Sequence, residues 1–332
     1  MIDSKIGKGQ VLVLFCFCYS TVSAQLKWKN VDAVYQPLPS SIHVFTTHDS
    51  LDGKPNIAYY VIADLKDKNL AFTVDTTFQR RMTPSKYFKK NNNPYVVVNT
   101  TFFSFATNQN LNMVIKDGKL VSYNIQSIQS KSDSTLFYHP FGSAIGISST
   151  GDADIAWVYT DSSMANAYAT QTPKKTLTNH NRQLSLPTAM QYFFGTKNRT
   201  YEEQLNTSRW NQETAVGGGP VLLQDGAIKI TNNEEMKFTG NGLTMKHPRT
   251  AMGYTKDHHL IILVIEGRNK GKAEGASLLQ EAQILKDLGC IEALNLDGGG
   301  SSCMLVNGKE TIQVSDIFGQ RPVPCVFIIQ KK

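Results

Sequence analysis

Lysine and arginine are never gathered into a block in this 332-residue chain, although the formal net charge is +7. A mild, scattered basic balance suits an anionic ligand or an acidic surface and gives nucleic-acid binding little support. Cysteine is scarce. Of the five, Cys16 and Cys18 lie in an N-terminal apolar run, leaving Cys290, Cys303 and Cys325. An odd number allows at most one internal disulfide, and the spacing is not that of a zinc site. Buried thiols are the expectation, with a Cys303–Cys325 bridge as the alternative. A dense Asp/His set is missing, so no metal and no cofactor is expected. Long apolar runs are also missing: residues 11–18, "VLVLFCFC", are too short to span a membrane. Lys5 and Lys8 precede this run and "VSA" ends at Ala24, so residues 1–24 read as a secretory signal. The mature chain is then expected to be secreted or periplasmic, with no stable membrane span.

Three phosphate or nucleophile motifs are absent as well. "LDGGGSSC" lacks the Lys-Ser/Thr ending of a P-loop. It is followed by a strand pattern rather than a helix, which excludes the dinucleotide fingerprint. No G-x-S-x-G surrounds Ser301 or Ser302, so a nucleophile elbow is excluded.

What is present is mostly strand. Residues 58–65, 70–77, 94–100, 260–267 and 323–330 are rich in β-branched and aromatic side chains. Helical spacing is clearest over "ASLLQEAQILKDLG", with Ser277 as cap and Gly289 as stop. A second short helix is expected after Thr83, with Pro84 at its first position. Residues 161–212 are polar and read as long loops, with one helix among them as the alternative. The fold class is therefore α+β: β-rich mixed sheets with a few flanking helices. Residues 25–89 form an N-terminal β-rich segment packing on a main domain of residues 90–332.

The strands also echo one another. "NTTFFSF…MVIKDGKL", "VGGGPVLLQDGAI" and "LDGGGSSCMLVNGKE" share a strand, a small-residue bend, a strand and an Asp-Gly or Asn-Gly turn. Gly118 precedes Ala144 by 26 positions and Gly226 precedes Ala251 by 25. The repeat is expected to bring three bends to one sheet end, where ligands commonly bind. Asn99 ends the strand before the first bend. Gly217, Gly218 and Gly219 form the second. Asn295 and Asp297 flank Leu296 before Gly298, Gly299 and Gly300 in the third. Alternation puts Asn295 and Asp297 on one face. Glycines let a ligand approach backbone N–H groups, which can form an anion-binding concavity. The competing reading is a glycine-rich hairpin in which Asp297 caps its own turn. Arg249, in "PRTAMG", offers a planar fork for phosphate or carboxylate. Glu266 ends the strongest apolar strand and supplies a second carboxylate, as glycosidic cleavage requires.

"GCIEALNLDGGGSSCMLVNG", preceded by "VIEGR" and a helix, resembles the signature of the phosphodiester glycosidase family. "VVVNTTFF", "VGGGPVLLQDG" and "PRTAMG" fall in the family's order, so the resemblance spans roughly residues 90–330. It implies hydrolysis of the sugar C1–O bond in a sugar-1-phosphodiester, such as an N-acetylglucosamine-1-phosphodiester, releasing sugar and a phosphomonoester. The implied partner is a phosphorylated glycan or sugar-1-phosphodiester. Two positions depart from the pattern. Asn99-Thr100-Thr101 stands where the family usually has Asn-Gly-Gly, and Glu266-Gly267 where it usually has Asp-Gly. On this resemblance Asp297 is the nucleophile or general base, and Glu266 the acid/base partner or a sugar ligand. Arg249 and the glycine N–H groups serve the phosphate. Asn99, Asn295 and Ser301 orient substrate oxygens. The rival readings are a non-catalytic glycan-binding protein and a phosphodiesterase that breaks P–O.

Overall fold

The computed structural model describes residues 25–125, 127–179 and 208–332. The signal expected over residues 1–24 and the middle of the polar 161–212 stretch lie outside the described residues. The fold is β-rich α+β, and every strand pairing among the described residues is antiparallel.

Three sheets matter most. The largest has eight strands, in the order Lys29–Asn30, Ile42–Thr47, Ala58–Asp64, His259–Ile265, Arg249–Thr255, Cys290–Asn295, Val221–Gln224 and Ala227–Ile228. A seven-stranded sheet contains, in spatial order, Ala153–Tyr159, Gly142–Ile147, Thr214–Gly217, Val114–Lys116 and Lys119–Ser122. A five-stranded sheet runs Lys309–Glu310, Met304–Val306, Val96–Asn99, Cys325–Lys331 and Leu70–Thr76.

The sequence echo is a real structural repeat, but its bends do not share one sheet. Val96–Asn99 lies in the five-stranded sheet, and the hairpin after its bend lies in the seven-stranded one. Thr214–Gly217 lies in the seven-stranded sheet, and its hairpin in the large one. Cys290–Asn295 lies in the large sheet, and its hairpin returns to the five-stranded one. Each bend thus hands the chain to the next sheet, and the three transfers close a cycle. Asn99, Gly217 and Asn295 hold matching places, paired with Val326, Ala144 and Ala251. The hairpin turns match too. Asp117-Gly118, Asp225-Gly226 and Asn307-Gly308 have φ of 51° and 71°, 51° and 73°, and 46° and 77°. Positive φ at both residues is the type I′ geometry that fits strand twist.

The inner faces of all three sheets meet in one core, which includes Val61, Val98, Trp157, Met252, Leu294 and Phe327. Strand His259–Ile265 is apolar almost throughout because both its faces are covered. Leu260, Ile262 and Val264 enter the central core, while Ile261, Leu263 and Ile265 face the helix layer. Three α-helices are seen among the described residues: α1 (Pro84–Lys90), α2 (Asn232–Glu235) and α3 (Leu278–Asp287). Thr83 caps α1 by accepting from Lys86 N–H. Ser277 and Gln280 form a reciprocal capping box on α3, and Gly289 follows at φ +86°. Ser277→Ala removes one half of this box. Its expected effect is a loss of about 1 kcal/mol of stability, read from the urea midpoint. The three cysteines are free and buried rather than bridged. Burial pushes the Cys290 and Cys325 thiols up to about 12, so they are inert packing groups.

Candidate functional site

Strands His259–Ile265, Arg249–Thr255 and Cys290–Asn295 are neighbours and antiparallel. The end of the first, the start of the second and the end of the third therefore share one sheet edge. Glu266, Arg249 and Asp297 are brought together at that edge, as period-two strands and short bends require. Their side chains then take different partners.

Asp297 is held at the meeting point of two bends. Its N–H donates to Thr100 O at 2.8 Å, and its carbonyl accepts from Asn99 Nδ2 at 2.5 Å. The side chain is half-buried, and Oδ2 is out of solvent with no hydrogen-bond partner in the described structure. Burial raises its pKa to about 7, against the lowering effects of a Ser301 hydrogen bond and the Arg321 charge. A carboxyl poised near neutrality is matched to proton transfer.

Asn99 is fully engaged inside the fold. Besides the Asp297 carbonyl, it accepts from Thr250 Oγ1 at 3.0 Å and from Cys303 N–H at 3.1 Å. It locks the five-stranded sheet to the Asp297 bend. Asn295 donates from Nδ2 to Gly219 O at 2.8 Å, and its buried Oδ1 has no partner among the described residues.

Four of the six bend-glycine N–H groups already donate to backbone carbonyls within the fold. Gly217, Gly218 and Gly219 donate to Met113 O, Ser143 O and Asn295 O, and Gly299 donates to Pro248 O. What the missing side chains leave room for is other protein atoms. A Cβ on Gly218 would stand 2.5 Å from Asn295 O, and one on Gly298 2.8 Å from Pro248 O. A Cβ on Gly299 would stand 2.8 Å from Arg268 Nη2, and one on Gly300 would collide with the Arg321 guanidinium. Two guanidinium groups thus lie against the Asp297 loop, over Gly299 and Gly300.

Arg249 is 4% exposed. Its Nε donates to Ala276 O at 2.8 Å and its Nη2 to Met245 O at 3.0 Å. Its charge faces Glu281 of α3, whose carboxyl burial pushes up to about 8 against the attraction of Arg249. Arg249 therefore braces the sheet to α3, with two donors already committed. Glu266 accepts from Gln313 N–H at 3.0 Å through Oε2, and its Oε1 lies 3.9 Å from Lys272 Nζ. It anchors the loop that carries Arg321.

Arg321 and Arg268 are charged groups beside Asp297 that the sequence motifs do not mark as site residues. Arg321 donates from Nε to Asp316 at 2.7 Å and from Nη1 toward Ser301 Oγ at 3.5 Å. Its guanidinium lies 5.4 Å from the Phe105 ring, and Arg81 lies 5.3 Å from the same ring. "FGQRPVP" has no periodicity that would have marked Arg321. Arg268 has φ +61°, a left-handed conformation that is uncommon for a long side chain. That backbone turn directs it to Gly299. His247, beside Arg249 and Arg268, has its pKa lowered by burial first and then by those two charges. No cluster of His, Cys, Asp and Glu among the described residues is grouped to hold a metal, and no described helix is long and apolar enough to cross a membrane.

The phosphodiester glycosidase profile matches residues 158–330. The chain is similar to the SPβ prophage-derived uncharacterized protein YomE of Bacillus subtilis (strain 168), with 39% identity over 74 residues, 22% of this chain and 11% of that protein. It is also similar to N-acetylglucosamine-1-phosphodiester α-N-acetylglucosaminidase of Mus musculus, with 27% identity over 99 residues, 30% of this chain and 19% of that enzyme. The matched segments thus span less than a fifth of these curated relatives. Among solved structures, the zebrafish N-acetylglucosamine-1-phosphodiester α-N-acetylglucosaminidase catalytic domain, auto-inhibited by its pro-peptide, shares the fold. Its TM-score is 0.52 at 18% identity, over 93% of this chain and 89% of that one. The family match covers just over half of the chain, and with the motifs around Asp297 it places this protein in the phosphodiester glycosidase family, a family of hydrolases.

Proposed function

We propose that this protein hydrolyses the sugar C1–O bond of a sugar-1-phosphodiester, releasing the free sugar and a phosphomonoester. The observation that carries the reading is the Asp297 carboxyl, raised to about 7 and set beside Ser301 and Arg321. A carboxyl with a pKa near the working pH is matched to general-base catalysis. Asp297 then takes a proton from the water that attacks C1. The C1–O bond breaks with its electron pair going to the phosphate oxygen. The phosphomonoester leaves as an anion, so it needs less protonation than a sugar alkoxide. Arg321 and Arg268 are the cations placed to stabilise that growing charge. Glu266 supports the site by anchoring the Arg321 loop through Gln313, and Arg249 by fixing the sheet to α3. The leader-like residues 1–24 support action outside the cytoplasm.

The test is a product screen over sugar-1-phosphodiesters, scored for reducing sugar and phosphomonoester in equal amounts. A pH series adds a residue-level check. The base form of Asp297 rises as pH passes about 7, so kcat/KM is expected to rise through that limb. Arg321 lowers the Asp297 pKa. Arg321→Met is therefore expected to move the limb to higher pH and to reduce the plateau. A limb that stays in place removes Arg321 from the account.

A further inference from the structure

A cavity of about 330 Å³ lies beside the first two bends, walled by Phe102, Phe141, Phe238 and Ile125, with Asn112, Lys237 and the Glu235 carboxylate at its polar side. Phe102 is two residues beyond Thr100, whose carbonyl receives Asp297 N–H. Asn112 donates to Gly218 O at 3.3 Å, and the Lys237 stem crosses the open face of Gly219. The cavity therefore sits on the same bend junction as Asp297.

Lys237 is the odd group in it. Its nearest acid is Glu235, but four donors already occupy that carboxylate. Oε1 accepts from Trp157 Nε1 at 3.1 Å, Val221 N–H at 2.9 Å and Thr231 Oγ1 at 2.6 Å, and Oε2 accepts from Ser143 Oγ at 2.6 Å. Among the described residues Lys237 is in no ion pair. Its Nζ lies 5.8 Å from the Phe102 ring. Burial lowers its pKa below the ordinary lysine value, with Glu235 opposing. Lys237 is half-buried, and a partly desolvated ammonium without an ion-pair partner favours an anion beside it.

We propose that this cavity is an anion subsite for a phosphate or carboxylate carried on an apolar or ring-shaped body, so that the preferred substrate bears a second negative group besides its phosphodiester. The substrate clause rests on the hydrolase reading; the subsite does not. Titration calorimetry of the full chain with phenyl phosphate, benzoate and benzyl alcohol tests it, using wild type, Lys237→Met and Arg321→Met. One or both anions are expected to bind wild type, and which one binds identifies the group read. Lys237→Met should weaken benzoate binding by about tenfold or more and Arg321→Met should weaken it by less than roughly twofold; phenyl phosphate, a phosphomonoester like the proposed product, is scored by the part of its binding that Arg321→Met leaves, and benzyl alcohol should not distinguish the proteins. Lys237→Arg should keep anion binding, which separates loss of charge from misfolding. Equal anion binding by wild type and a folded Lys237→Met overturns the proposal, as does no anion binding by wild type. Failure to release sugar from any phosphodiester, with anion binding still dependent on Lys237, removes the hydrolase reading and leaves the subsite standing.

Discussion

Asp297→Asn is expected to lower kcat/KM by about 10²- to 10⁴-fold, the usual share of a positioned general base. The fold should survive. The backbone bonds of Asp297 to Thr100 and Asn99 do not involve its carboxylate, and an asparagine oxygen still accepts from Ser301. Stability supplies an independent signature. In the folded protein the carboxyl titrates near 7, against 3.8 for an ordinary aspartate, because burial disfavours its charge. Between about pH 4 and pH 7 the unfolded chain therefore holds fewer protons on this group than the folded one. Wild-type stability falls across that window on account of Asp297, and the penalty is complete above it. Asn carries no such penalty. The variant should gain stability relative to wild type from pH 4 to pH 7, measured by urea unfolding at each pH. Near-normal turnover by the folded variant would remove Asp297 from the chemistry. A stability difference flat with pH would show that its carboxyl is not held neutral.

The second large effect is on the fold. Gly219→Ala is expected to cost about 3 kcal/mol or more, the sum of overpacking and backbone strain. Gly219 has φ +117°, where L side chains rarely go. A Cβ there would collide with Glu235 Oε2 and Lys237 Cε. Glu235 cannot retreat without giving up Ser143, Trp157, Val221 or Thr231. The bend itself is pinned by Gly219 N–H to Asn295 O at 2.7 Å and by Asn295 Nδ2 to Gly219 O at 2.8 Å. Gly226→Ala is the control. Gly226 also has positive φ, but open space surrounds it, so only the left-handed penalty of roughly 1–2 kcal/mol applies. Equal losses for the two variants would mean that the junction is looser than its contacts require.

Much of this architecture is legible in the amino-acid sequence. Apolar runs mark strands over residues 58–65, 70–77 and 260–267, and the fold realises them as Ala58–Asp64, Leu70–Thr76 and His259–Ile265. The helix caps Thr83 and Ser277 act as their residue types dictate. The echo of Asp-Gly and Asn-Gly turns points to a repeat, because type I′ geometry leaves a clear residue signature. What the echo conceals is the exchange between sheets. A bend of small residues shows where a strand ends, and its direction afterwards is set by tertiary packing. The site divides along the same line. Asp297 is visible because an acid at the end of an apolar strand is costly and conspicuous. Arg321 is not, since it comes from an aperiodic loop that Glu266 and Asp316 hold in place. The packing role of the glycines is hidden for a related reason. Glycine reports that something approaches closely, and here guanidinium groups and neighbouring backbone fill that space.

The central claim is that water attacks the sugar carbon and that C1–O is the bond broken. Hydrolysis of a sugar-1-phosphodiester in ¹⁸O-enriched water tests it most directly, with both products read by mass spectrometry. The account predicts one ¹⁸O in the released sugar and none in the phosphomonoester. Label in the phosphate would contradict it and establish P–O cleavage instead.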